Sequence, residues 1–188
     1  MISDCFVNFP EAYVSRAGLP AAGMGLMGVI LAVAGMLEKR AASLPWARAT
    51  LAVSTGAGLL GAAGMIAVGA VSEKDNDNLH CFVAAVFFVF FPFCMLGFTW
   101  NLQRHNAFAH AASRNLKYLI SFLDVVCTVV VGMNGLHDSR TEAAIFEWAA
   151  VMLTLAWYWT MVYEMEAMVI VELAERHPAE DAGYFALV

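Results

Sequence analysis

Apolar residues occur along this chain in long continuous stretches that short polar segments separate. A helix that crosses the hydrocarbon core of a bilayer needs about 20 residues. The apolar stretches are continuous rather than alternating, which disfavours the strands of a membrane barrel. The pattern predicts an all-α integral membrane bundle, a single domain over residues 1–188, with five transmembrane helices at about 19–37, 49–71, 81–102, 116–136 and 143–171.

Composition supports lipid as the solvent around these helices. Apolar residues make up 61% of the chain and charged residues 14%, whereas soluble domains average roughly 45–50% and about 25%. The segments between the apolar stretches are too short to form a soluble domain, and residues 172–188 are predicted to be a polar tail.

Lysine and arginine are distributed unequally between the two predicted membrane faces. Cytosolic loops of membrane proteins carry an excess of these residues, and one face holds seven against three on the other. This asymmetry predicts a lumenal or extracellular N-terminus and a cytosolic C-terminal tail. The predicted cytosolic set is Lys39, Arg40, Arg48, Arg104, Arg114, Lys117 and Arg176, and the opposite set is Arg16, Lys74 and Arg140.

The net charge and the spacing of the cysteines argue against nucleic acid, metal ions and cofactors as ligands. The net charge of −6 provides no basic surface for nucleic acid, and the cysteines form no CxxC or CxxH pattern, so we expect no metal site and no cofactor. Cys94 and Cys127 fall inside apolar stretches and are typical of small buried side chains. Cys5 and Cys81 lie near the non-cytosolic face, where an oxidising environment would allow them either to pair or to remain thiols.

Small residues recur one helical turn apart in the first two predicted helices. Gly28 and Ala32 form one such row, and Ser54, Gly58 and Ala62 form another. Rows of this kind let helix backbones approach closely within a membrane. We therefore expect both rows to lie at helix contacts.

One carboxyl group falls deep inside a predicted span. Asp124 follows Leu116 by about 12 Å of helix, which is close to the bilayer midplane, where a charge costs about 2.5–3.5 kcal/mol or more. Asp124 is therefore either a functional group facing a wet cavity or a polar contact between helices. Lys117, two turns earlier, is expected to extend towards it.

The last predicted helix carries two further carboxylates. Glu147 and Glu164 are about 25 Å apart along the helix, too far for a pair of catalytic carboxylates. Thr160 precedes Glu164 by one turn and shares its face. Glu164 is either an interfacial carboxylate or part of a functional face, and no catalytic constellation is recognisable, so we expect a protein that is not an enzyme.

Three short motifs resemble those of one family. Ile2–Asp4 (ISD) is followed by Pro10–Glu11 (PE), and Glu73 precedes His80 ahead of an aromatic helix. In the last helix, the residues Glu147, Trp148, Thr160 and Glu164 have the spacing EW…T…E. Together these motifs resemble the Frag/DRAM/Sfk group of eukaryotic multi-span membrane proteins, which includes damage-regulated autophagy modulators and GPI-anchor-remodelling proteins.

The resemblance has consequences for topology and function. Members have six helices, the first ahead of a lumenal ISD loop, so the chain is expected to lack the first helix of the family and to place residues 2–4 in the lumen. The family implies no catalytic chemistry in this domain, and its members are linked to autophagy, lysosomes and GPI-lipid remodelling.

The sequence therefore favours a non-enzymatic multi-pass protein that organises membrane lipid or a membrane partner in the endomembrane system or plasma membrane. One alternative is a supernumerary subunit of a large complex, for example in the mitochondrial inner membrane. Another is a transporter or lipid-modifying enzyme that uses Asp124, Glu147 and His80. The residues expected to contact lipid or a partner are His80, Asp124, Glu147, Trp148, Thr160 and Glu164.

Overall fold

The protein is an array of long helices joined by short connections. A computed structural model describes residues 11–41, 45–71, 76–105, 107, 110–136 and 140–176. These residues form α1 (Glu11–Ala41), α2 (Pro45–Ala70), α3 (Asp77–Arg104), α4 (Ala111–Leu136) and α5 (Arg140–Arg176). Each of the five contains a segment long and apolar enough to cross a membrane, which confirms an all-helical fold with five helices of membrane-spanning character.

The helices are longer than the apolar stretches from which they were predicted. α1 begins at Glu11 instead of residue 19, and α5 extends to Arg176, so the predicted tail at 172–188 starts as helix. A helix has to satisfy its own backbone hydrogen bonds throughout the hydrocarbon, so it ends beyond the apolar stretch and not within it. Asn76 precedes α3, and its side chain accepts a hydrogen bond from the Leu79 amide (3.1 Å) and caps the helix.

Helices α1, α2 and α3 pack antiparallel through small residues. Ser54, Gly58 and Ala62 of α2 are buried, as their spacing predicts. A Cβ at Gly64 would lie 2.8 Å from the Phe87 amide nitrogen of α3, so only glycine allows this approach. Gly28 of α1 instead has open space around it, and the prediction that it lies at a helix contact is wrong because α1 turns that face outward.

Aromatic side chains of α3 fill the space between α2 and α5. The rings of Phe87 and Phe91 meet edge to face at 5.0 Å, and Phe91 meets Tyr158 of α5 at 5.8 Å. Nearer the C-terminal end of α3, Phe98 lies 6.5 Å from Trp157. α3 therefore connects the α1–α2 pair to the α4–α5 pair, which are also antiparallel.

The close contact at Gly64 predicts a sharp difference between two glycines of the same helix. Gly64→Ala would place a methyl group against the α3 backbone, which can yield only if the helices separate, and we expect a loss of about 1–3 kcal/mol of stability. Gly56 has open space around it, so Gly56→Ala should be neutral or stabilise the helix by about 0.5–1 kcal/mol. Thermal unfolding in detergent measures both variants, and equal stabilities would contradict the packing described here.

Candidate functional site

A lysine is buried where α4 meets α5. The side chain of Lys117 is 0% exposed, and its ammonium lies 2.8 Å from Glu164 Oε2, 2.6 Å from the Thr160 hydroxyl and 3.4 Å from the Ser113 hydroxyl. An ammonium group has three N–H donors, and each has an acceptor here. We call Ser113, Lys117, Thr160 and Glu164 the lysine cluster.

Glu164 completes this cluster from α5. Its side chain is also 0% exposed. One carboxylate oxygen accepts from Lys117, and the other accepts from the Ser113 hydroxyl at 2.6 Å. Glu164 is therefore a buried ion-pair partner of Lys117, and the lysine of α4 compensates its charge.

Polar contacts extend from the cluster to α3. The Thr160 hydroxyl donates to the Trp157 carbonyl (2.6 Å), and the Trp157 indole N–H donates to the Thr99 hydroxyl (3.1 Å). The ammonium of Lys117 also lies 6.0 Å from the centre of the Trp157 ring, within range of a cation–π interaction. Three helices thus meet at one set of buried polar groups.

The predicted approach of Lys117 to Asp124 is wrong. Side chains on a helix lean towards its N-terminus, so Lys117 extends back to the turn of Ser113 and away from Asp124. Asp124 is 1% exposed, and the Thr154 hydroxyl of α5 donates to it at 3.5 Å. Its position is therefore that of a polar contact between α4 and α5.

Other predicted residues lie towards the opposite end of the bundle. His80 is buried at the start of α3, with Nδ1 2.7 Å from the Val71 carbonyl, and so holds α3 to the end of α2. Glu147 is buried and Trp148 is 40% exposed, and Glu147 lies about 25 Å along α5 from Glu164. The six predicted residues therefore do not form one site, and only Thr160 and Glu164 share the lysine cluster.

His80 and Asp124 are also well separated. The Thr128 hydroxyl of α4 donates to the Phe88 carbonyl of α3 (3.3 Å), so these two residues lie at the same depth. His80 lies two turns from Phe88 towards the start of α3. Asp124 lies one turn from Thr128 towards the start of α4, which is at the opposite end of the bundle, so the two residues are about 18 Å apart along the bundle. The two do not share a reaction centre.

Comparison with known proteins places the chain in a family. Residues 1–168 match the model of the Frag1/DRAM/Sfk1/Cwh43P N-terminal domain. The chain belongs to this family. Neither a curated protein nor a solved structure matches it significantly. The chain is thus a multi-pass helical membrane protein of the Frag1/DRAM/Sfk1 family, as its motifs indicated.

The structure shows what two of the residues in the motifs that resemble the Frag1/DRAM/Sfk1 family contact. Thr160 and Glu164 contact Lys117, which sequence reasoning had assigned to a cytosolic loop. A signal was available, because Ser113, Lys117, Ser121 and Asp124 recur every three or four residues and mark one polar face of α4. Within the described ranges, no group of three histidine, cysteine, aspartate or glutamate side chains is arranged to hold a metal ion.

The lysine cluster predicts a strong energetic coupling between α4 and α5. Lys117→Met would leave the carboxylate of Glu164 buried without a cation, and we expect a loss of about 3–5 kcal/mol. The double variant Lys117→Met with Glu164→Gln should regain much of this loss, because neither charge then remains. Chemical unfolding of the purified protein measures each variant.

Arg114→Met is the matched control, since Arg114 is a partly exposed cation on the same helix whose side chain contacts Asn115. It should change stability by less than about 1 kcal/mol. Additive losses from the Lys117 and Glu164 substitutions would show that the two charges are not coupled.

Proposed function

We propose that this protein is a non-enzymatic multi-pass membrane protein that binds membrane lipid or a membrane partner, in the endomembrane system or the plasma membrane. The closure of the lysine cluster carries the proposal. Lys117 and Glu164 are both 0% exposed and bind each other, Thr160 and Ser113. Because the hydrogen-bonding groups of the cluster already have partners and are buried, they hold α4 and α5 together. Lipid or a protein partner would then bind at the outer surface of the bundle.

Family membership supports a role close to lipids. Relatives that the motifs resemble are linked to autophagy, to lysosomes and to GPI-lipid remodelling, and we propose a related role for this chain. Among the residues predicted to contact lipid or a partner, His80, Asp124 and Glu147 are buried within the bundle. Trp148 offers the most accessible surface of that set, at 40% exposed.

We further propose that the end of the bundle where α3 passes to α4 lies in the cytosol. Lys117 no longer counts in the charge comparison because it is buried. The remaining lysines and arginines still number six on that face and three on the other, so the positive-inside preference is unchanged.

The orientation predicts which terminus is accessible from the cytosol. When only the plasma membrane of a cell is permeabilised, an epitope at the C-terminus should bind antibody, because the predicted tail lies in the cytosol. An epitope at the N-terminus should bind antibody only after all membranes are permeabilised. The reverse pattern would contradict the proposed orientation.

A second candidate is a subunit of a larger membrane complex. Trp159 lies near the middle of the α5 span and is 74% exposed. Tryptophan prefers the membrane interface to the hydrocarbon centre, so an indole at this depth is better covered by another protein than by acyl chains. This surface favours a neighbour packed on α5.

Purification from native membranes distinguishes the two candidates. We expect a tagged chain to localise to endomembranes or the plasma membrane and to retain lipid when native mass spectrometry is applied. Co-purification with other subunits at fixed stoichiometry, lost on Trp159→Ala and kept on Trp148→Ala, would favour the complex subunit. A pure chain that retains neither lipid nor protein would contradict the proposed function.

A further inference from the structure

An arginine lies against two indoles at the α3/α4 end of the bundle. The guanidinium of Arg104 lies 4.8 Å from the ring centre of Trp46 on α2 and 5.6 Å from that of Trp100 on α3. Both distances are within the range of a cation–π interaction, which involves the charge of the guanidinium and uses none of its N–H donors as conventional hydrogen bonds. Across the part of the chain that the structure describes, Arg104 has no carboxylate partner, and its side chain is exposed.

An apolar groove lies beside this arginine on the outer surface of α2 and α3. Its volume is about 350 Å³, and Trp100 belongs to its lining. The hydroxyls in the floor are satisfied within the protein, since Ser54 donates to the Thr50 carbonyl at 2.7 Å and Thr50 contacts Asn101 at 3.2 Å. The lining residues are Ala49, Thr50, Val53, Ser54, Ala57, Phe93, Gly97 and Trp100.

Gly97 lets α2 and α3 approach closely at the floor of the groove. A Cβ at this position would overlap the Ser54 side chain, so α2 and α3 approach closely only because the residue is glycine. The walls on either side are Val53, which is 73% exposed, and Phe93, which is 64% exposed. The result is a narrow channel with apolar walls that faces the surrounding lipid.

The dimensions fit one acyl chain. On α3 the groove is lined from Phe93 to Trp100, a length of about 10 Å. Arg104 lies one turn beyond Trp100, so the distance along α3 from Phe93 to Arg104 is about 16 Å, close to half of a hydrocarbon core roughly 30 Å thick. A lipid of one leaflet would therefore extend along the groove with its headgroup beside Arg104.

The charge at this end selects the headgroup. Arginine binds phosphate through paired N–H donors, and the exposed side chain of Arg104 carries such donors. Burial lowers the pKa of the neighbouring His105, and the charge of Arg40 acts in the same direction. The imidazole is therefore neutral at pH 7, and Arg104 is the cation beside the groove.

We propose that the groove between α2 and α3 binds one phospholipid with an anionic headgroup, its phosphate on Arg104 and one acyl chain between Val53 and Phe93. This site rests on the proposed function, of which it specifies the ligand class. It also agrees with the proposed orientation, because anionic lipids are concentrated in the cytosolic leaflet.

Lipid titration of the purified full-length protein tests the headgroup contact. Phosphatidylserine and phosphatidylcholine with identical acyl chains are added in detergent, and bound lipid is counted by native mass spectrometry. Both lipids carry the phosphate, but only phosphatidylserine has a net negative charge. It should therefore bind about fivefold more tightly, the contribution expected of one arginine near an anionic headgroup. Arg104→Ala should remove this preference.

Arg48→Ala is the matched control for the headgroup contact. Arg48 is an exposed cation at the same end of α2, but it lies two residues from Trp46 and so does not share its face. This variant should keep the preference for phosphatidylserine. If Arg48→Ala and Arg104→Ala lower it equally, the effect is one of overall charge, and the inference is wrong.

A second pair of variants tests the acyl-chain contact. Val53→Trp would fill the groove without entering the core, because Val53 is 73% exposed, and binding of both lipids should fall. Leu119→Trp places the same side chain on an exposed position of α4 and should leave binding unchanged. If Val53→Trp instead dissociates a dimer or displaces a bound protein, the groove holds a helix and the inference is wrong.

The outcomes also separate this inference from the proposed function. If the wild-type protein retains lipid but Arg104→Ala and Val53→Trp do not alter that binding, the assigned site is wrong while lipid binding stands. If the wild-type protein binds neither lipid in detergent and retains no lipid from native membranes, both the assigned site and the proposed function are wrong.

Discussion

The ion pair between Lys117 and Glu164 is the interaction on which the α4–α5 half of the bundle depends. A charged side chain at the centre of a bilayer costs about 2.5–3.5 kcal/mol or more when it is alone, and each of these residues offsets the cost of burying the other inside the bundle. The pair fixes the depth at which the two helices meet. The hydrogen bond from the Trp157 indole to the Thr99 hydroxyl then aligns α3 with α5 at the same depth.

The other half of the bundle is held together by a different physical effect. Helices α1, α2 and α3 meet where side chains are small or absent, as at Gly64 against the Phe87 backbone, and dispersion forces between closely packed backbones supply the attraction. Such packing depends on shape alone. The protein therefore joins a shape-dependent half to a charge-dependent half, and the aromatic face of α3 is the surface at which they meet.

Five helices were predictable because membrane thickness sets a length that every spanning segment has to meet. The partner of Lys117 was not predictable from the sequence. Glu164 is 47 residues away, and the length of the apolar stretches does not fix how two helices are aligned in depth. Counting lysines by loop also misplaced Lys117, because a lysine within the first two turns of a span can turn inward when an acceptor is present. The contact of Arg104 with Trp46 was hidden for the same reason, since the two residues lie on different helices whose relative depth the apolar pattern does not fix.

The order in which the helices are synthesised gives the lysine cluster a further consequence. The ribosome delivers α4 before α5, so Lys117 enters the translocon before its counterion exists. Lys117 lies about 9 Å from the start of α4, near enough for its long side chain to keep its charge at the interface meanwhile. Only when α5 emerges can the lysine withdraw into the bundle, so completion of the last helix is the step that commits α4 to its final place in the membrane.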